Sequence, residues 1–61
     1  MEVKHTQNSD GIITRHIIET SYHSLKELEK DYQNKGFETI FQLFDACQGK
    51  WCLSVTIPFL N

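Results

Sequence analysis

Residues 50–59, Lys50-Trp51-Cys52-Leu53-Ser54-Val55-Thr56-Ile57-Pro58-Phe59, alternate between large apolar and small or polar side chains. In an extended chain, Trp51, Leu53, Val55, Ile57 and Phe59 share one face, and Cys52, Ser54 and Thr56 share the other. A period of two predicts a strand with one side against a core. Pro58 has no N–H to give a ladder, so pairing is expected to stop near Ile57.

The N-terminal third reads as a hairpin. Residues 2–7 are a weaker strand pattern, Asn8-Ser9-Asp10-Gly11 is a turn signal, and residues 12–20 are rich in β-branched side chains. Asp-Gly suits a turn that needs positive φ, since Gly has no Cβ to clash. Two registers fit. A two-residue turn at Asp10-Gly11 places His5 opposite His16 and Val3 opposite Ile18; a three-residue loop sets Val3 opposite Ile17. Ile12 and Ile18 alternate with Ile13 and Ile17, so this strand carries apolar residues on both faces and is expected to be covered on both sides, or to have one side buried by another subunit.

A helix is expected next. Ser24-Leu25-Lys26-Glu27 matches a capping box, in which Ser24 accepts the N–H of Glu27 and the Glu27 side chain reaches back. Leu25, Leu28 and Tyr32 form an apolar stripe at i, i+3 and i+7, with Lys26, Glu27, Lys30, Asp31 and Asn34 on the solvated side. Gly36 stands where a left-handed residue closes a helix.

Residues 37–44 match two templates. Phe37, Ile40, Phe41 and Phe44 suit a helical face; Phe37, Thr39, Phe41 and Leu43 suit a strand face. The turn that follows favours the strand. With Cys47-Gln48-Gly49 as a three-residue loop and Gly49 left-handed, Leu43 pairs with Leu53, Phe41 with Val55 and Thr39 with Ile57. A helix after Gly36 would also lack a cap. The expected fold is therefore α+β: a single domain over residues 1–61, ordered β-β-α-β-β, with a four-stranded antiparallel sheet and one helix on one face.

At 61 residues, the chain buries only about 60% of its unfolded surface, so a disulfide, a metal or a partner would ease a marginal core. Six Lys and Arg against eight Asp and Glu give a net charge of −2, and the basic residues are scattered. This argues against a nucleic-acid surface built within one chain. Neither an apolar span of about 18 residues nor a signal-peptide pattern is present, and a cytoplasmic location is expected.

Candidate chemistry is sparse. Cys47 and Cys52 lack the second cysteine pair of a zinc site and are expected to be free thiols, Cys47 in a loop and Cys52 half-buried. His5 and His16 meet in only one hairpin register, with no third ligand fixed by spacing. Cys47 with a histidine is the one conceivable nucleophile–base pair, and spacing does not bring them together. The glycines sit singly at turns and a cap. No catalytic residue, metal site or cofactor is expected, and the chain does not read as an enzyme.

Apolar surplus remains. One short helix cannot cover four strands, and Ile40, Phe44, Ile12 and Ile18 are expected to point away from it as a protein-binding face. The expected function is a small protein-interaction module, a homodimeric regulator or inhibitor that binds another protein through its sheet face or edge. A phage or mobile-element origin would suit such a role. The alternative is a nucleic-acid-associated regulator, in which a dimer gathers Lys26, Lys30 and Lys35 from two helices into one strip.

Overall fold

The computed structural model describes residues 1–57. Pro58, expected to stop the pairing, and Phe59, expected on the same face as Trp51, lie outside the described residues. Strands β1 (Glu2–Gln7) and β2 (Ile13–Glu19) are followed by helix α1 (Tyr22–Asn34) and by strands β3 (Glu38–Asp45) and β4 (Lys50–Ile57). The sheet is antiparallel, with spatial order β1-β2-β4-β3. The β-β-α-β-β fold and the strand at 37–44 are as the sequence indicates. The two hairpins join through β2 and β4, leaving β1 and β3 as edges.

The first hairpin takes the register in which Val3 faces Ile17, and His5 faces Arg15 rather than His16. The Asn8 carboxamide oxygen decides this. It accepts the N–H groups of Asp10 and Ile12, while the Asn8 N–H donates to the Ile12 carbonyl. Ser9, Asp10 and Gly11 thus form a three-residue loop, and Gly11 takes φ +83°.

In the second hairpin, Gly49 is left-handed as expected, at φ +64°. The register, however, is displaced by two residues: Phe41 faces Leu53, Thr39 faces Val55 and Leu43 faces Trp51. The Asp45 carboxylate is the cause. It accepts the N–H groups of Cys47 and Gln48, so the turn begins at Asp45 and the loop has four residues. Asp45 pairs with Lys50, and Phe44 becomes the extra residue of a bulge. A shift of two returns every side chain from Glu38 to Leu43 to its expected face, so the core survives the error.

Helix α1 begins earlier than the capping box implies. Its N-cap is Ser21, whose Oγ accepts the Ser24 N–H. Ser24 lies within the first turn, so the expected Ser24–Glu27 box does not form. The earlier start brings Tyr22 edge-on to Phe41 and Trp51, at centroid distances of 5.2 and 5.0 Å. Packing of this kind outweighs a difference of a few tenths of a kcal/mol between rival caps. At the other end, Gly36 N–H donates to the Gln33 carbonyl and Phe37 N–H to the Tyr32 carbonyl. This is a Schellman closure, and the Tyr32 and Phe37 rings supply its usual apolar contact at 5.9 Å.

The helix covers the middle of the sheet. Leu25, Leu53 and Val55 are fully buried and cluster with Ile17; Leu28, Tyr32, Phe37, Phe41, Trp51 and Ile57 pack around them. Gly36 has φ +90° and open space where a Cβ would stand. Gly36→Ala therefore adds backbone strain alone. It is expected to lower unfolding stability by about 1–2 kcal/mol. In urea the midpoint should fall at unchanged slope; an unaltered midpoint would contradict the closure described.

Candidate functional site

Strand alternation and register divide the side chains into two faces. Toward the helix point Val3, Ile17, Leu53 and Phe41 in one row, and His5, Arg15, Val55 and Thr39 in the next. The open face carries Glu2, Ile18, Cys52 and Gln42; then Lys4, His16, Ser54 and Ile40; then Thr6, Thr14, Thr56 and Glu38. It is a largely polar surface.

That corrects the expected apolar face. Ile13 and Ile17 both lie on the helix side. Ile18 does point away from the helix but is only 4% exposed, so it offers a partner almost nothing. Ile12 is half-buried beside the first turn. Ile40 and Phe44 are exposed, at 62% and 53%, and Leu43 joins them at 50%. Leu43 was missed because a partner deep in β4 was assigned to it. Among the described residues, three of the four exposed large apolar side chains of the sheet therefore lie on one edge strand, the fourth being Val3 on β1 at 47%.

The open face also holds a polar chain that sequence spacing does not reveal. His16 Nδ1 lies 3.0 Å from Ser54 Oγ, and its Nε2 lies 3.1 Å from Thr6 Oγ1. Ser54 Oγ in turn lies 3.7 Å from Cys52 Sγ. These residues meet only through pairing between β1, β2 and β4, across up to 48 positions of chain by their numbers. A serine beside an imidazole invites comparison with a nucleophile and its base. Ser54, however, is buried in a central strand whose backbone N–H groups are engaged in ladders on both sides, and none is free to hold an oxyanion. The geometry is that of a satisfied polar network.

Across the sheet, the Arg15 guanidinium donates to His5 Nε2 and to the Tyr32 hydroxyl, at 3.0 and 2.9 Å, tying β1 and β2 to the helix. Cys47 is exposed in the loop and Cys52 is buried on the sheet, and the two are not joined. Among the described residues, no group of three or more His, Cys, Asp or Glu side chains is arranged to hold a metal. A hollow of about 270 Å³ lies between Met1, Glu2, Ile18, Glu19, Thr20 and Lys50, and has neither a histidine nor a cysteine in its lining. Among the described residues, no helix is long and apolar enough to cross a membrane.

Lys26 and Lys35 are held locally. Lys26 Nζ lies 3.2 Å from Glu29 and 4.4 Å from the centre of the Phe41 ring. The hydrogen bond that Lys26 donates to Glu29 raises the Lys26 pKa above its ordinary value. Lys35 pairs with Asp31 at 3.3 Å. With Glu27, Glu29 and Asp31 beside Lys26, Lys30 and Lys35, this face presents balanced charge rather than a basic strip.

The two edges differ. β1 carries Glu2, Lys4 and His5, with Glu2 and Lys4 paired at 3.3 Å. Lysines and other charges along an edge deter pairing with a further strand. β3 has acidic residues only at its ends, Glu38 and Asp45. Between them runs Thr39-Ile40-Phe41-Gln42-Leu43-Phe44, uncharged and without proline. Only the bulge at Phe44 interrupts it. In comparisons with known proteins, no family model, curated protein or solved structure matches this chain.

The His16–Ser54 contact makes a direct prediction. Ser54→Ala removes the partner of His16 Nδ1 and is expected to lower unfolding stability by about 1 kcal/mol. A fluorophosphonate probe should leave Ser54 unlabelled in the wild-type chain. Efficient labelling would contradict a purely structural pair.

Proposed function

We propose that this chain is a protein-interaction module of regulatory or inhibitory type, working by strand addition at the β3 edge. One observation carries the reading: the uncharged edge of β3, with Ile40, Leu43 and Phe44 each half exposed or more. An unprotected edge presents a row of unpaired N–H and C=O groups. An added strand satisfies them, while side chains on either side of the sheet supply apolar contact. Ile40 lies on the open face and Leu43 on the helix face, so a partner strand meets apolar surface on both. The exposure of Tyr22 beside Phe41 and Trp51 extends that surface on the helix side.

Regulators that act by occupancy need little more than a rigid edge and a small core to hold it. The balanced charges of the helix give the nucleic-acid alternative no comparable support. The test is photo-crosslinking in cells with p-benzoylphenylalanine placed at Ile40, at Phe44 and, on the opposite edge, at Lys4. Positions 40 and 44 are expected to give discrete protein adducts several-fold stronger than position 4. Adducts equally strong from Lys4, or none from β3, would overturn the reading.

A further inference from the structure

We infer that the strand added to β3 is the β3 of a second copy of this chain, paired antiparallel about a two-fold axis at Gln42. This deepens the preceding proposal and rests on its use of the β3 edge. An antiparallel union of two identical edges requires a two-fold axis normal to the sheet. Both helices then lie on the same side, so facing residues must come from the same face. That restricts the registers to those centred on a residue.

Of these, the register centred on Gln42 matches the side chains best. Ile40 faces the partner's Phe44, Phe41 faces the partner's Leu43, and Gln42 faces its own counterpart. Past Leu43 the bulge turns Asp45 to the open face, so the partner's Phe44 and the partner's Asp45 together meet Ile40, and no carboxylate directly faces another. Centring on Phe41 instead sets Ile40 against Gln42, Thr39 against Leu43 and Glu38 against Phe44, leaving Phe41 against its counterpart as the one apolar pair. Centring on Leu43 brings the bulge of each strand next to the axis and breaks the ladder there. Cross-strand apolar pairs stabilise an antiparallel edge, whereas a carboxylate facing a phenylalanine does not. The β3 pattern is thus self-complementary, while β1 directs Lys4 and His5 against any added strand. The product is one eight-stranded sheet with two helices on one side and, on the other, a face that is polar except at the seam, where Ile40 and Phe44 lie.

Edge pairing of this length is smaller than a standard permanent interface, so the dimer is expected to be reversible, with dissociation in the micromolar range. Sedimentation should show the weight-average mass rising from monomer toward dimer between low and high micromolar chain. Ile40→Lys, at an exposed position, should leave the circular dichroism unchanged and raise the dissociation constant about tenfold or more. The register is read by disulfide formation in a Cys47→Ser, Cys52→Ala background, which also removes the thiol facing position 42. Gln42→Cys should link two chains on mild oxidation. Glu38→Cys should not, because its two copies lie roughly 26 Å apart in this register. A strict monomer at high micromolar concentration would overturn the inference. So would a dimer that links equally through Glu38→Cys or fails to link through Gln42→Cys. Foreign adducts from Ile40 and Phe44 alongside a strict monomer would sink self-pairing while leaving strand addition standing; absence of any β3 adduct would remove both.

Discussion

The pairing of β2 with β4 is the constraint on which the rest of the structure depends. It is the one ladder that joins residues from the two ends of the chain, setting Ile17 beside Leu53 and Arg15 beside Val55. The buried floor beneath the helix, Ile17, Leu53 and Val55, exists only when these strands meet. The same pairing assembles the Thr6–His16–Ser54 chain on the opposite face and ties Arg15 to Tyr32. It also fixes which strands end up at the edges. Each hairpin contributes its inner strand to the core and its outer strand to solvent.

From that arrangement follows an asymmetry between the edges. The outer strand of the first hairpin carries alternating charge; the outer strand of the second carries apolar side chains to both faces. Small domains have little core to spare, so apolar residues kept at an exposed edge represent stability left unrealised in the isolated chain. A surface that retains them while its opposite edge is charged is more simply explained by occupancy than by chance. The helix contributes the complementary half of the argument. It spans the central strands and anchors at both ends, at Ser21 and Gly36, but its three lysines are matched by three carboxylates. It holds the sheet and offers no basic strip of its own.

Much of this was legible in the residues. The alternation from Trp51 to Ile57 marks the central strand, Gly36 marks the helix closure, and Gly49 marks the second turn. What escaped were features set by side chains that act on the backbone. Asn8 selects one hairpin register, Asp45 starts the second turn two residues early in pairing terms, and Ser21 competes with Ser24 for the cap. Each rival arrangement is locally sound, and tertiary contacts decide among them. The site was half legible for a related reason. Ile40 and Phe44 emerge exposed, but strand parity alone does not say that Ile18 is shielded by its neighbours or that Leu43 is left bare. The His16–Ser54 network belongs to pairing between distant strands, which no spacing rule encodes.

The central claim is that β3 is the working edge and β1 the guarded one. Amide hydrogen exchange at two protein concentrations tests it most directly, because edge N–H groups that point outward are protected only when another strand binds them. The account predicts that β3 amides gain protection as the chain is concentrated from low to high micromolar, while β1 amides stay as they were. Protection that is independent of concentration in β3, or that grows equally in β1, would contradict it.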